Sequence, residues 1–222
     1  MISQTEENYL KGIFKLTRKT DKPISTNSIS KLINTTAASV TDMLKKLAEK
    51  ELVHYEKYRG VQLTEHGESV AKNLVRKHRL WEVFLVEKLN FTWDEVHDIA
   101  EQLEHIKSPL LTDKLDDFLG NPQYDPHGDP IPDRNGKIIY HEEVSLQDLN
   151  KEKSGEVVGV KDTSPQFLKF LDSMKIKLGT RLTVIDQIEY DESQIVEIDG
   201  KGPVTLSKMA ARNLYMKIES NG

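Results

Sequence analysis

Apolar residues recur at helical spacing three times within the first fifty positions. In TEENYLKGIFKLT, residues 5–17, Tyr9, Leu10, Ile13, Phe14 and Leu16 share one side of a helix that Thr5 is placed to cap. STNSISKLINT repeats the spacing through Ile29, Leu32 and Ile33, with Ser25 or Thr26 as its cap. TTAASVTDMLKKLAEKELV does so through Val40, Met43, Leu44 and Leu47. The period then changes. LVHYEKYRGVQLT alternates in two short β-branched and aromatic runs across Lys57-Tyr58-Arg59-Gly60, which predicts a hairpin. Three helices and a hairpin make a winged helix-turn-helix over residues 1–63.

Residues 64–91 form a longer helical stretch on which Leu80, Trp81, Val83, Phe84, Leu85, Val86 and Leu89 surround most of the circumference. A helix apolar nearly all round has to be covered on every side, in a domain centre or a dimer interface. Helices over about 93–106 and 109–119 complete a middle unit, 64–140. Residues 120–136 hold four of the eight prolines without periodicity and predict an irregular, ordered loop. After a linker at 141–152, the region 153–222 reads as short strands (GEVVGV, TRLTVIDQIEY, SQIVEI, GPVTL) with helices near 164–175 and 207–213, a small β-barrel. The fold class is therefore mainly α with a small β domain.

Composition narrows the function classes. The 222 residues contain no cysteine, which excludes disulfides, thiolate metal sites and cysteine nucleophiles and favours the cytoplasm. No apolar run reaches the roughly 20 residues of a membrane helix, and MISQTEENYL lacks a signal-peptide pattern, so a soluble protein is expected. The net charge of −5 hides an asymmetry: residues 1–77 hold 14 Lys and Arg against 9 Asp and Glu, and the remainder 17 against 27. A basic head on an acidic body suits polyanion binding at the head and cation binding behind it.

Helix three presents Thr36, Ser39, Thr41 and Asp42 at its exposed start, where a recognition helix meets base edges and phosphates. Lys57, Tyr58 and Arg59 at the hairpin tip suit phosphate contact. Equally, the first four can be a cap and a solvated face. In VHDIAEQLEHI, the residues His97, Glu101, Glu104 and His105 fall within one helical sector opposite Val96, Ile99, Ala100 and Leu103. His78 and Glu82 sit four apart upstream. Nitrogen and oxygen donors without sulfur suit manganese, iron(II), zinc or cobalt, although such a face is also what an amphipathic helix shows to solvent. Asp125 and His127 in the proline-rich loop, and Asp162 in the strand region, are each candidate donors or turn residues. No nucleophile elbow, Walker loop or GxGxxG appears.

ENYLK, SVTDMLKKLAEKELVHYEKYRGVQLTEHG, RKHRLWE, VHDIAEQLEHI, NPQYDPHGDPIP and the strand-rich end together resemble the diphtheria toxin repressor and manganese transport regulator family of metal-dependent repressors. The resemblance implies a winged helix that binds operator DNA, a helical domain that dimerises and binds metal, and an SH3-like (FeoA-like) domain. It implies a regulatory site at Asn8, Glu101, Glu104 and His105, with Glu7 as a substitute for Asn8. Manganese sensors usually carry Asp at the first position and iron sensors Met; Glu101 stands where iron sensors carry Cys, so Mn²⁺ is expected before Fe²⁺, Zn²⁺ or Co²⁺. Lys11 stands where some manganese regulators have another carboxylate, which argues against a binuclear site. Two ancillary sets remain open: His78, Glu82 and His97 with Asp162 and Gln166, or Glu82, Asp125 and His127 with Asp162. Without metal, repulsion between Glu101 and Glu104 would leave helix one unattached. The rival functions are an Fe²⁺-dependent repressor of the same family, a metallohydrolase on the same ligands, and a metal-independent winged-helix regulator.

Overall fold

A computed structural model describes residues 2–18, 20, 22–140 and 144–218. The chain divides into two compact units. One comprises Met1–His78, Glu101–Lys114 and Pro132–Ile138; the other comprises Arg79–Ala100, Leu115–Ile131 and Ile139–Gly222.

The first unit opens with α1, Gln4–Thr17. Its cap is Ser3 rather than Thr5: the Ser3 hydroxyl accepts from Glu6 N while the Glu6 carboxylate accepts from Ser3 N at 2.8 Å, a reciprocal capping box. Helix α2, Thr26–Ile33, is capped by Ser25 and ends on Asn34 in the left-handed region, φ 54°. Helix α3, Ala37–Glu49, is capped by Thr36. Strands β1, Val53–Glu56, and β2, Gly60–Leu63, pair antiparallel from Val53↔Leu63 to Glu56↔Gly60. Leu10, Ile13, Ile29, Leu44, Leu47, Leu52 and Val61 close one core across these elements, so the winged helix-turn-helix expected from the periodicity forms. Helix α4, Glu65–Leu89, starts against this core. A Cβ at Gly67 would lie 1.9 Å from the Leu52 carbonyl oxygen, so the first turn of α4 approaches the wing closely enough to require glycine.

In the second unit, the later part of α4 buries Leu80, Val83 and Leu85, while Trp81 and Phe84 are half-buried and Leu89 is exposed. Leu80 and Val83 pack with Leu115 and Ile131. Helix α5, Val96–Leu103, stops earlier than the 93–106 expected, and α6 spans Pro109–Phe118. Residues 120–136 are irregular as expected, ordered by a bridge between Tyr124 and Pro130.

The small domain is a six-stranded antiparallel sheet in the order β3-β8-β4-β5-β6-β7. Its strands are β3, Val144–Ser145; β4, Ser154–Val160; β5, Arg181–Gln187; β6, Gln194–Ile198; β7, Lys201–Leu206; and β8, Leu214–Ile218. Helices α7, Pro165–Ser173, and α8, Lys208–Arg212, accompany them. Register shifts between Val157 and Gly159, and between Val184 and Asp186, add the local twist a small curled sheet needs. The expected linker at 141–152 is corrected in part: β3 pairs with β8, and Leu146 and Leu149 are buried in the sheet's core. Residues 141–143 of that linker and 219–222 of the expected domain lie outside the described residues. No helix among the described residues is long and apolar enough to cross a membrane.

Candidate metal centres and nucleic-acid interface

The first donor cluster lies in the first unit. Helix α5 ends at Leu103, so Glu104 and His105 occupy the following turn and not the helical face expected for them. This changes their environment. The Glu104 side chain is 0 % exposed, whereas Glu101 remains exposed. Glu104 Oε2 receives two donors, Lys11 Nζ at 2.6 Å and His78 Nδ1 at 2.6 Å. Lys11 Nζ also lies 3.5 Å from Glu101 Oε1 and 3.3 Å from His78 Nδ1. Burial alone raises the Glu104 carboxyl, but the His78 hydrogen bond and the Lys11 charge outweigh it and hold the group below its ordinary value. Burial likewise lowers the Lys77 ammonium, against the pull of Glu7 and Glu104.

Glu7 reaches this cluster from α1, its Oε2 2.6 Å from His105 Nδ1. Asn8 is exposed one position along and forms none of these contacts. With Nδ1–H donated to Glu7, the His105 Nε2 lone pair faces Glu104 Oε1 at 3.8 Å. That Oε1 atom is buried and has no hydrogen-bond partner among the described residues. An orphaned buried carboxylate oxygen opposite an imidazole nitrogen, itself oriented by a second carboxylate, suits one edge of a cation site, whereas Glu101 does not join those two within the 4.8 Å at which three donors could share an ion. Lys11 and Glu7 both tie α1 to the turn after α5.

The second cluster lies in the second unit. Glu82, Asp125 and His127 are all buried, with one ligand atom from each within 4.8 Å of the others. His127 Nε2 donates to the Trp93 carbonyl at 2.9 Å, which turns Nδ1 toward Glu82 Oε2 at 3.8 Å. Trp93 stacks on the His127 ring with 7° between planes. Asp125 Oδ1 accepts from His127 N at 2.8 Å and Asp129 N at 3.0 Å, while Arg79 Nε approaches Oδ2 at 3.3 Å. Arg79 also donates to the Pro130 carbonyl. The loop is fastened to β4 by Val160 N donating to His127 O at 2.9 Å. A Cβ at Gly128, φ 87°, would lie 2.0 Å from the Val158 carbonyl oxygen, so only glycine permits this approach. Burial and the Glu82 charge push the Asp125 carboxyl up to about 7 despite Arg79. Burial lowers the His127 imidazole, but Glu82 and Asp125 outweigh it and raise it to about 9. Exposed His97 joins through Nδ1, 3.4 Å from Glu82 Oε1. Asp162 stands apart from this group, accepting from Ser164 N at 2.9 Å in the turn before α7.

On α3, Thr36, Ser39 and Asp42 are exposed and Thr41 is half-buried. Thr36 and Ser39 form the α3 cap, and the Thr41 hydroxyl donates to Ala37 O at 2.9 Å. Lys57, Tyr58 and Arg59 all protrude, Tyr58 being 94 % exposed, and Arg59 pairs with Glu56 at 2.9 Å. Arg79 and the Trp93 carbonyl were not among the residues expected at this site. The Arg79 signal lay in RKHRLWE, where a cation three residues before Glu82 shares its helix face.

A winged helix followed by buried clusters of imidazole and carboxylate defines a DNA-binding protein that can hold divalent cations. Residues 1–61 match the family described as "Iron dependent repressor, N-terminal DNA binding domain". Residues 64–133 match "Iron dependent repressor, metal binding and dimerisation domain", and residues 144–218 match "FeoA domain". The chain belongs to the iron-dependent repressor family of metal-dependent, DNA-binding transcriptional repressors. It is 36 % identical over 118 residues to an uncharacterized HTH-type transcriptional regulator of Methanocaldococcus jannaschii, spanning 53 % of this chain and 94 % of that one. It is 32 % identical over 128 residues to the iron-dependent repressor IdeR of Mycobacterium tuberculosis, spanning 58 % of this chain and 55 % of that one. Among solved structures, a manganese-dependent transcriptional repressor in complex with manganese is 36 % identical with TM-score 0.84, over 96 % of this chain and 100 % of that one. The manganese regulator SloR is 32 % identical with TM-score 0.72, over 96 % and 98 %.

Proposed function

We propose that this chain is a cytoplasmic, Mn²⁺-activated repressor that binds operator DNA as a homodimer. The observation that carries the reading is the buried, unpartnered Glu104 Oε1 facing His105 Nε2 in the unit that contains the winged helix. Glu101, Glu104 and His105 would hold the regulatory cation, and Glu7 would orient His105. Asn8, the expected donor from α1, would have to turn in from its exposed position. The ion would supply a divalent positive charge among these carboxylates. What this chain's residues do is tie α1 to the turn after α5, so that filling the site fixes the orientation of the recognition helix. Metal affinity and DNA affinity are then linked reciprocally. Oxygen-rich donors without sulfur favour Mn²⁺, with Fe²⁺ next, over ions that prefer thiolate.

For the ancillary site we favour Glu82, Asp125 and His127. All three are buried, and the Trp93 carbonyl fixes the imidazole with Nδ1 toward Glu82. Thr36, Ser39, Thr41 and Asp42 would meet the major groove and Lys57, Tyr58 and Arg59 the phosphates. Exposed Leu89 and Phe118, the latter 65 % exposed, support dimerisation through the helical region.

The test is anaerobic operator binding titrated with Mn²⁺, Fe²⁺, Zn²⁺ and Co²⁺ under chelator control, beside sedimentation. Binding that requires metal and responds best to Mn²⁺, by a dimer, is expected. Metal-independent operator binding would instead support a regulator that senses an organic ligand, and metal-dependent turnover a hydrolase.

A further inference from the structure

We propose that Lys11 is a tethered counter-cation of the regulatory cluster, holding Glu104 while competing with the divalent ion for Glu101 and setting the metal concentration at which the site fills. The proposal rests on the regulatory reading above. Lys11 Nζ sits 2.6 Å from Glu104 Oε2 and 3.5 Å from Glu101 Oε1, two of the three residues that would hold the cation. This is not a surface pair. The Lys11 side chain is 18 % exposed and Glu104 0 %, whereas Lys45 and Asp42 on α3, at 61 % and 72 %, form the solvent-screened kind that contributes little.

The two oxygens of Glu104 divide the work. Oε2 is occupied by Lys11 and His78, and Oε1 is unpartnered opposite His105. A cation can therefore engage Oε1 and His105 Nε2 while Lys11 stays in place. Recruiting Glu101 is different, because its Oε1 faces the ammonium at 3.5 Å. Binding through that oxygen requires Lys11 to withdraw, and an ammonium left within a few ångströms of a divalent ion repels it. Lys11 thus raises the concentration of metal needed while holding α1 in place before metal arrives. Activation becomes an exchange of one tether for another.

The experiment is Mn²⁺ titration calorimetry on the whole chain carrying Glu82→Gln, since Glu82 belongs to both ancillary donor sets. The additional variants are Lys11→Gln, Lys11→Met, Lys11→Arg and Glu104→Gln, with thermal unfolding of each protein with and without Mn²⁺. Lys11→Gln keeps a donor for Glu104 without the charge and should bind Mn²⁺ on the order of tenfold more tightly, one nearby unit charge having been removed. Lys11→Met should do the same with a lower metal-free melting temperature, and Lys11→Arg should stay near the parent. Unchanged or weakened Mn²⁺ affinity in both Lys11→Gln and Lys11→Met, with Glu104→Gln binding poorly, overturns the proposal and leaves the regulatory site standing. Parental affinity in Glu104→Gln overturns both.

Discussion

Glu104→Ala should destabilise the fold itself as well as remove a donor from the proposed regulatory site. On a solvated helix face it would remove a ligand and little else. In the structure its carboxylate is fully buried and accepts from Lys11 and His78, each at 2.6 Å. Truncation leaves the Lys11 ammonium and the His78 donor facing a void. Removing one partner of a buried pair costs roughly 3–5 kcal/mol. Lys11 is partly exposed and can turn toward Glu101, so the lower end applies, about 3 kcal/mol. At roughly 2–4 °C per kcal/mol for a chain of this size, the metal-free melting temperature should fall by about 6–12 °C. Urea unfolding at pH 7 in chelator, followed by circular dichroism, measures the loss directly. The pH dependence supplies a second check. The Glu104 carboxyl is held below its ordinary 4.5, so its contribution is present above that value and lost as pH falls through the lower folded value. The gap between wild type and variant should therefore close in acid. A difference below about 1 kcal/mol at pH 7 would refute the buried-cluster reasoning, since that is what an exposed pair gives.

Three further outcomes are expected. Arg59→Ala should weaken binding to all DNA sequences and lower the salt slope by about one, as for one lost phosphate contact; an effect confined to one operator would contradict the assignment of the wing. Glu101→Cys should raise the response to Fe²⁺ or Co²⁺ relative to Mn²⁺ in anaerobic operator titrations, and an unchanged ranking would remove position 101 from selectivity. At the second cluster, His127 is raised to about 9 and must lose its proton to become a ligand, so Mn²⁺ affinity there should rise with pH by about one proton between 7 and 9. Calorimetry in buffers of different ionisation enthalpy, on the Glu104→Gln background, reads that proton; no buffer dependence at pH 8 would contradict it.

The winged helix was legible because its signals are local. Caps, apolar spacing at 3.6 and the change of period at the hairpin each act within a few residues, and Val40, Leu44 and Leu47 are buried as the spacing requires. The end of α5 was not legible. VHDIAEQLEHI continues the amphipathic pattern through Ile106, yet the helix stops at Leu103, and Glu104 turns into contact with residues 26 and 93 positions away in sequence, His78 and Lys11. No local propensity encodes such a contact. The same limit explains Glu7. Position 8 looked like the donor from α1, but burial on that helix follows Glu6, Tyr9, Leu10 and Ile13, which leaves Asn8 outside and Glu7 at the edge beside His105. Strand β3 was not legible for a related reason. A two-residue strand carries no period, and its identity comes only from Val144 and Ser145 pairing with Met216 and Tyr215.

The two clusters answer to different variables because their resident cations differ. In the first, a lysine on a flexible stem can leave when a metal arrives, and the buried Glu104 is already ionised. In the second, Arg79 is held by the Pro130 carbonyl, Asp125 and Asp129 together, so it is a fixed part of the loop and has no route out. What can leave there is a proton, from His127 at about 9 and, below neutrality, from Asp125 at about 7. On the sites proposed above, metal would displace an ammonium at one and protons at the other. It follows that acidification should empty the second cluster before the first. Mn²⁺ titrated at pH 8 and again at pH 7 should then show the ancillary event weakened more than the regulatory one. Equal weakening of the two binding events would mean that Asp125 and His127 do not control the ancillary site as their burial requires.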